Sequence, residues 1–255
     1  MKHSYSVSFT IAALAVFGAT SSHAAEIPVT STNHWESSVS AGATLTRGNS
    51  DTFLGTLTAA TGKKWDQNEL AFGADAAYGT TKDNTTRQET TSAETVHGFG
   101  QYNRLFSERL YGYGRLEGLH DGVAGIRYRL SLGVGPGYYF IKTKTTQLSA
   151  EAGPGYIVQK LAGKDSQSYA TLRFGEKFNQ ELSDRARMWQ TAEILPQVDD
   201  FNNFIVNFEI GVEADLNSSK KLSLRVYLDD TYNNVPAEGR QKNDMKLVAA
   251  VAYKF

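Results

Sequence analysis

The chain has 255 residues, is 40% hydrophobic and 21% charged, and carries 13 Tyr, 13 Phe and 23 Gly against 5 Pro. That mix suits strands and tight turns, and it excludes both a disordered chain and a bundle of membrane helices. A formal net charge of −1 argues against nucleic acid as a partner. The absence of cysteine excludes a disulfide framework, thiolate metal sites and a lipid-modified N-terminal Cys, and it fits an oxidising compartment.

Residues 1–24 read as a signal peptide that is removed. Lys2 supplies the positive start, Phe9 to Ala19 a short apolar run, and Ser22-His23-Ala24 the small residues before a cut. No later stretch approaches the about 20 apolar residues of a membrane helix. Residues 25–34 are expected to be a short periplasmic segment and residues 35–255 the folded domain.

From Trp35 onward the pattern has a period of two. Trp35, Val39, Ala41, Ala43 and Leu45 alternate with Glu36, Ser38, Ser40, Gly42, Thr44 and Thr46. Ile126, Tyr128, Leu130, Leu132, Val134, Pro136, Tyr138 and Phe140 oppose Arg127, Arg129, Ser131 and three glycines. Phe204, Val206, Phe208, Ile210, Val212 and Ala214 oppose Asn207, Glu209, Gly211, Glu213 and Asp215. Leu222, Leu224, Val226 and Leu228 oppose Ser223, Arg225, Tyr227 and Asp229. The final stretch puts Met245, Leu247, Ala249, Val251, Tyr253 and Phe255 on one face. Near 93–103 and 186–195 both faces are mixed, and orientation is not assigned.

About twelve strands are predicted, over 35–46, 51–62, 67–79, 88–104, 108–119, 124–141, 145–158, 164–180, 184–196, 203–217, 220–233 and 243–255. Alternation alone leaves a soluble β-sandwich open. Strand length favours a membrane barrel, since a tilted strand needs about 9–11 residues to cross a bilayer. The even count agrees. The expected fold is therefore all-β: an antiparallel transmembrane β-barrel of about twelve strands with both termini periplasmic. Compact turns follow the even strands. Longer polar loops are expected at Thr80 to Arg87, Lys160 to Asp165, Gln197 to Asn202 and Asn234 to Lys242. Gly135-Pro136-Gly137-Tyr138 recurs as Gly153-Pro154-Gly155-Tyr156 on neighbouring strands, which predicts a shared kink in the wall.

In a barrel, the polar mid-strand residues Arg127, Arg129, Glu151, Arg173, Glu209, Glu213, Asp215 and Arg225 line the lumen. Glu209, Glu213 and Asp215 share a face that could hold a cation, but luminal arginines are the simpler partners. The histidines of the mature chain are His34, His97 and His120, without a hydrolase arrangement or metal-ligand spacing. No catalytic, cofactor-binding or metal residue is assigned, and no enzyme is expected.

Gly42-Ala-Thr-Leu-Thr-Arg-Gly48-Asn49-Ser50-Asp-Thr52, the paired Gly-Pro-Gly-Tyr segments and the aromatic C-terminus resemble a family of outer-membrane proteins of unknown function. That family includes the salt-induced and acid-inducible outer-membrane proteins. The resemblance covers about residues 35–255 and implies a porin-like barrel of the Gram-negative envelope, linked to salt or acid stress. It carries no catalytic residues. Val251, Tyr253 and Phe255 are similar to the signal by which the barrel assembly machinery recognises its clients. Three functions follow: a narrow channel for small charged solutes or an envelope-stress barrel; a closed structural barrel without transport; and, least supported, a lipid-modifying enzyme. Outer-membrane lipid, the assembly machinery and small solutes are the expected partners.

Overall fold

The computed structural model describes residues 33–46 and 50–255. The expected leader and most of the segment 25–34 lie outside the described residues. Twelve strands form a ring: β1 (Trp35–Thr46), β2 (Ser50–Trp65), β3 (Asn68–Asp83), β4 (Glu89–Leu105), β5 (Leu110–Asp121), β6 (Ile126–Lys142), β7 (Thr146–Leu161), β8 (Ser166–Ser183), β9 (Ala186–Pro196), β10 (Phe204–Asp215), β11 (Leu222–Asn233) and β12 (Asn243–Lys254). Each is antiparallel to its neighbours, and β12 pairs with β1 to close the barrel. Closure leaves no free edge. The start of β1 and the end of β12 lie at one end, called here the terminal end, together with the short turns. The opposite end is the loop end.

Two expected loops are shorter than the sequence suggested. β3 runs on to Asp83 and β7 to Leu161. At β3 the cause is the run of β-branched threonines, which pair as Thr80↔Thr91 and Thr81↔Thr90.

Burial is inverted relative to a water-soluble protein. Leu45 and Leu247 are 74% and 65% exposed, while Glu213 and Arg225 are each 2% exposed. A soluble sandwich would bury the leucines and solvate the charges. The outer wall is instead a belt of Leu57, Phe72, Leu116, Leu132, Phe174, Val212 and Val251. Such a surface is stable against hydrocarbon and a liability in water.

The alternation holds where it was read, with one local failure. Strict alternation predicts Ile126 outward and Arg127 inward. The structure reverses both: Ile126 is buried, and Arg127 is exposed. The register shifts between Ile126 and Tyr128, and an extra residue flips the facing of what precedes it. Beyond the bulge, Arg129 faces in and Leu130 out.

The two Gly-Pro-Gly segments meet across β6 and β7, between the pairs Gly133↔Gly155 and Gly137↔Glu151. A β-carbon on Gly135 would overlap the carbonyl oxygen of Ala152, and one on Gly153 would overlap that of Val134. Only glycine allows the two strands to pass this closely.

The two unassigned strands also resolve. In β4, Ala93, Thr95, His97, Phe99 and Gln101 are buried inward. In β9, Trp189 and Leu195 are buried. Their faces look mixed because large aromatics sit inside among the charges.

Candidate functional site in the barrel interior

Seven of the eight sequence-chosen luminal residues face the interior: Arg129, Glu151, Arg173, Glu209, Glu213, Asp215 and Arg225. Arg127 is the exception, lifted out by the bulge. The seven do not form one cluster.

One network centres on Arg173 of β8. Its Nη1 donates to Glu151 at 2.7 Å, and its Nε donates to Glu193 of β9 at 2.5 Å. Its guanidinium lies 4.9 Å from the centre of the Tyr113 ring. Glu151 also accepts from Gln101 Nε2 at 2.7 Å and the Tyr111 hydroxyl at 3.0 Å. Gln101 in turn accepts from Arg115 Nη1 and Lys177 Nζ, each at 2.9 Å. Arg115 packs 4.2 Å over the Phe99 ring and donates to Glu117 at 2.5 Å. The chain of contacts runs from β4 to β9 across the interior. Charge-assisted bonds of this kind are about twice as strong as neutral ones.

A second network centres on Glu213 of β10. It accepts from Arg225 Nε at 2.7 Å and Arg187 Nη2 at 2.8 Å, and it pairs with Lys254. Lys254 also donates to Asp215 at 2.9 Å, and Arg225 reaches Ser38 Oγ of β1 at 3.1 Å. This network ties the closing seam together. Arg129 stands apart and donates to Gln159 at 2.8 Å.

Glu209 differs again. It accepts from the Trp189 indole N–H at 2.5 Å and stands opposite Asp229, whose ion-pair partner is Lys246 at 3.2 Å. Sequence reasoning missed Arg115, Glu117, Arg187, Glu193, Lys254 and the buried pair His97 Nδ1–Asp75 at 2.9 Å. The signal for Arg115 and Glu117 was their shared parity on either side of Leu116. Arg187 and Glu193 were hidden by the mixed faces of β9. His120, next to the last residue of β5, bonds the Arg127 carbonyl at 2.9 Å.

Inward side chains from every strand are buried: Ser38, Thr58, Asp75, His97, Arg115, Arg129, Gln159, Thr171, Trp189, Glu209, Asp229 and Lys246 are one from each, in chain order. Spaces between them are small. One of about 20 Å³ is bordered by both His97 and Asn207, from strands on opposite sides of the ring. A larger one, of about 90 Å³, lies at the terminal end. At the loop end the segment between β11 and β12 crosses the mouth. Its Ala237 is buried in an apolar cluster with Ile126 and Leu161 of the far wall.

Val251 and Tyr253 project outward from β12, with Phe255 just beyond it, all three exposed. Tyr253 and Phe255 stack with ring centres 6.3 Å apart, and the Phe255 N–H donates to the Ser37 carbonyl at 3.0 Å. The matched row therefore sits beside the closing seam.

Solved structures resemble this fold. The NanC porin superposes with a TM-score of 0.51 at 8% identity, covering 85% of this chain and 98% of that one. The translocator domain of the autotransporter NalP from Neisseria meningitidis gives 0.43 at 15% identity, covering 87% of each chain. The outer membrane channel DcaP of Acinetobacter baumannii gives 0.42 at 8%, covering 87% and 95%. At such identity the likeness is one of fold. No curated protein matches in sequence. The model of one family, described as "Protein of unknown function, DUF481", matches residues 39–255, and the chain belongs to that family.

Proposed function

We propose that the chain is an outer-membrane barrel whose interior is closed and non-catalytic, with a structural rather than an open-pore role. The observation that carries this is the burial of inward side chains from all twelve strands, with Gln101 of β4 reaching through the interior to hydrogen-bond Glu151 of β7 and Lys177 of β8. An open pore needs a continuous wet path. Here Arg173 is spent on Glu151 and Glu193, Glu213 holds Arg187, Arg225 and Lys254, and Ala237 anchors a loop over one mouth. The outer-membrane location is supported by the apolar belt and by closure, since lipid tolerates strands only in closed barrels. With the terminal end periplasmic, the short turns lie where such barrels keep them. A non-catalytic role is supported by the engagement of His97 with Asp75, both buried in the interior.

Conductance in a planar bilayer tests this reading. The folded wild-type barrel is expected to show no stable channel steps. Regular, ion-selective steps from the wild type would overturn the closed reading in favour of a narrow channel for small charged solutes. Recognition of Val251, Tyr253 and Phe255 by the assembly machinery is proposed on their exposed row at the seam. Deleting Phe255 should lower the yield of the heat-modifiable folded band in outer-membrane fractions; a normal yield would remove that assignment.

A further inference from the structure

The space of about 90 Å³ at the terminal end is a vestibule, lined among others by Lys64, Glu69, Lys142, Glu151, Lys177 and Tyr139. Its inner limit is the layer formed by Gln101 and Glu151, both buried, so it ends blind. Three lysines there face two carboxylates, an excess of one positive charge.

The carboxylates are already satisfied. Glu69 accepts from Lys64 Nζ and the Tyr139 hydroxyl at 2.8 Å each, and from Asn103 Nδ2 at 3.3 Å. Glu151 is held by Arg173 from behind and by Gln101 and Tyr111. Lys142 is different. Its ammonium donates to the carbonyl of Glu108 at 2.8 Å and lies 4.2 Å over the Tyr139 ring. No carboxylate among the described residues pairs with it. An ammonium carries three donors, so Lys142 keeps bonding capacity that neither contact uses. A pocket whose negative groups are capped while a positive one is not selects anions. Its volume has room for several waters or one small oxyanion.

We propose that this vestibule is a binding site for a small oxyanion, of the carboxylate or phosphate class, with Lys142 as the principal charge in a lining that also holds Lys64 and Lys177. The proposal rests on the closed-interior reading only for the blind end of the pocket.

Isothermal titration of the detergent-folded, full-length barrel with sodium acetate, and separately with inorganic phosphate, at constant ionic strength, tests it. Saturable binding of at least one is expected. Lys142→Met should weaken it about tenfold or more, as loss of a charge-assisted contact predicts. Lys142→Arg, which keeps the charge, should retain most of it. Lys63→Met, adjacent in β2 but outside the vestibule lining, should leave it unchanged. Folding of each variant is checked by heat-modifiable mobility. No saturable binding of either anion would overturn the proposal. Equal losses in Lys142→Met and Lys63→Met, or preference for a small cation such as tetramethylammonium, would do the same. The two readings fail separately. A conducting barrel that binds the anion through Lys142 loses the closed interior and keeps the site; a non-conducting barrel that binds no anion does the reverse.

Discussion

Glu209 and Glu213 sit four residues apart on the inward face of β10, and each is 2% exposed. By composition, parity and burial they are equivalent, yet their surroundings are opposite. Glu213 lies directly across from Arg225 on one side and Arg187 on the other, and Lys254 joins them. Glu209 lies across from Asp229 on one side and Thr191 on the other. Its single strong donor is the indole of Trp189, which reaches it across Gly211; a β-carbon at Gly211 would overlap that ring. The contrast shows that facing the lumen does not decide what a carboxylate does there. Register decides, because directly opposed residues in an antiparallel pair form the unit of interaction.

The largest effect should come from Glu213→Gln. It leaves Arg225, Arg187 and Lys254 around a neutral amide, and breaking a buried ion pair from one side costs about 3–5 kcal/mol. Urea titration of the barrel in lipid vesicles, followed by tryptophan fluorescence, should show that loss. A cost under about 1 kcal/mol would mean that the cations find other partners, and that the two glutamates are less different than their contacts imply. Trp189→Phe comes next. It keeps the aromatic packing against Tyr227 but removes the donor to Glu209, at about 1–3 kcal/mol for a buried acceptor left unsatisfied. If this variant were as stable as the wild type in the same titration, the indole bond would not be what holds Glu209.

Much of this arrangement was legible in the sequence because a strand's period is rigid. Once Leu247, Val251 and Phe255 are read as one face, Lys246, Val248 and Ala252 must take the other, and they do. The same rule placed Glu209, Glu213 and Arg225 without any knowledge of contacts. It failed at Arg127 because a bulge changes parity locally and leaves no residue signature there. It stalled at β4 and β9 because Phe99 and Trp189 share their face with polar residues, which leaves no apolar side to choose; inside they cover Arg115 and bond Glu209. The partners themselves were not legible. Pairing Glu213 with Arg187 requires the offset between β9 and β10, which is set by a two-residue turn on one side of β9 and a seven-residue connection on the other. Nor was the vestibule, since it gathers the ends of strands distant in sequence, where alternation gives way to turn geometry.

The smallest expected effect is also the one that separates the two glutamates most sharply. Glu209→Gln keeps a carbonyl oxygen that can accept the Trp189 N–H, so the indole bond survives. It removes one of two like charges placed directly opposite each other, a destabilising arrangement on a sheet. It adds an amide N–H₂ beside Asp229, which can accept from it. It exposes no stranded cation, since Lys246 pairs with Asp229 rather than with Glu209. The net change in unfolding free energy should therefore lie within about 1 kcal/mol of zero. The same substitution chemistry, four residues along the same strand, would then differ by several kcal/mol in outcome. A loss at Glu209 matching that at Glu213 would show that the Glu209 charge itself is needed, and that Lys246 is shared between Asp229 and Glu209.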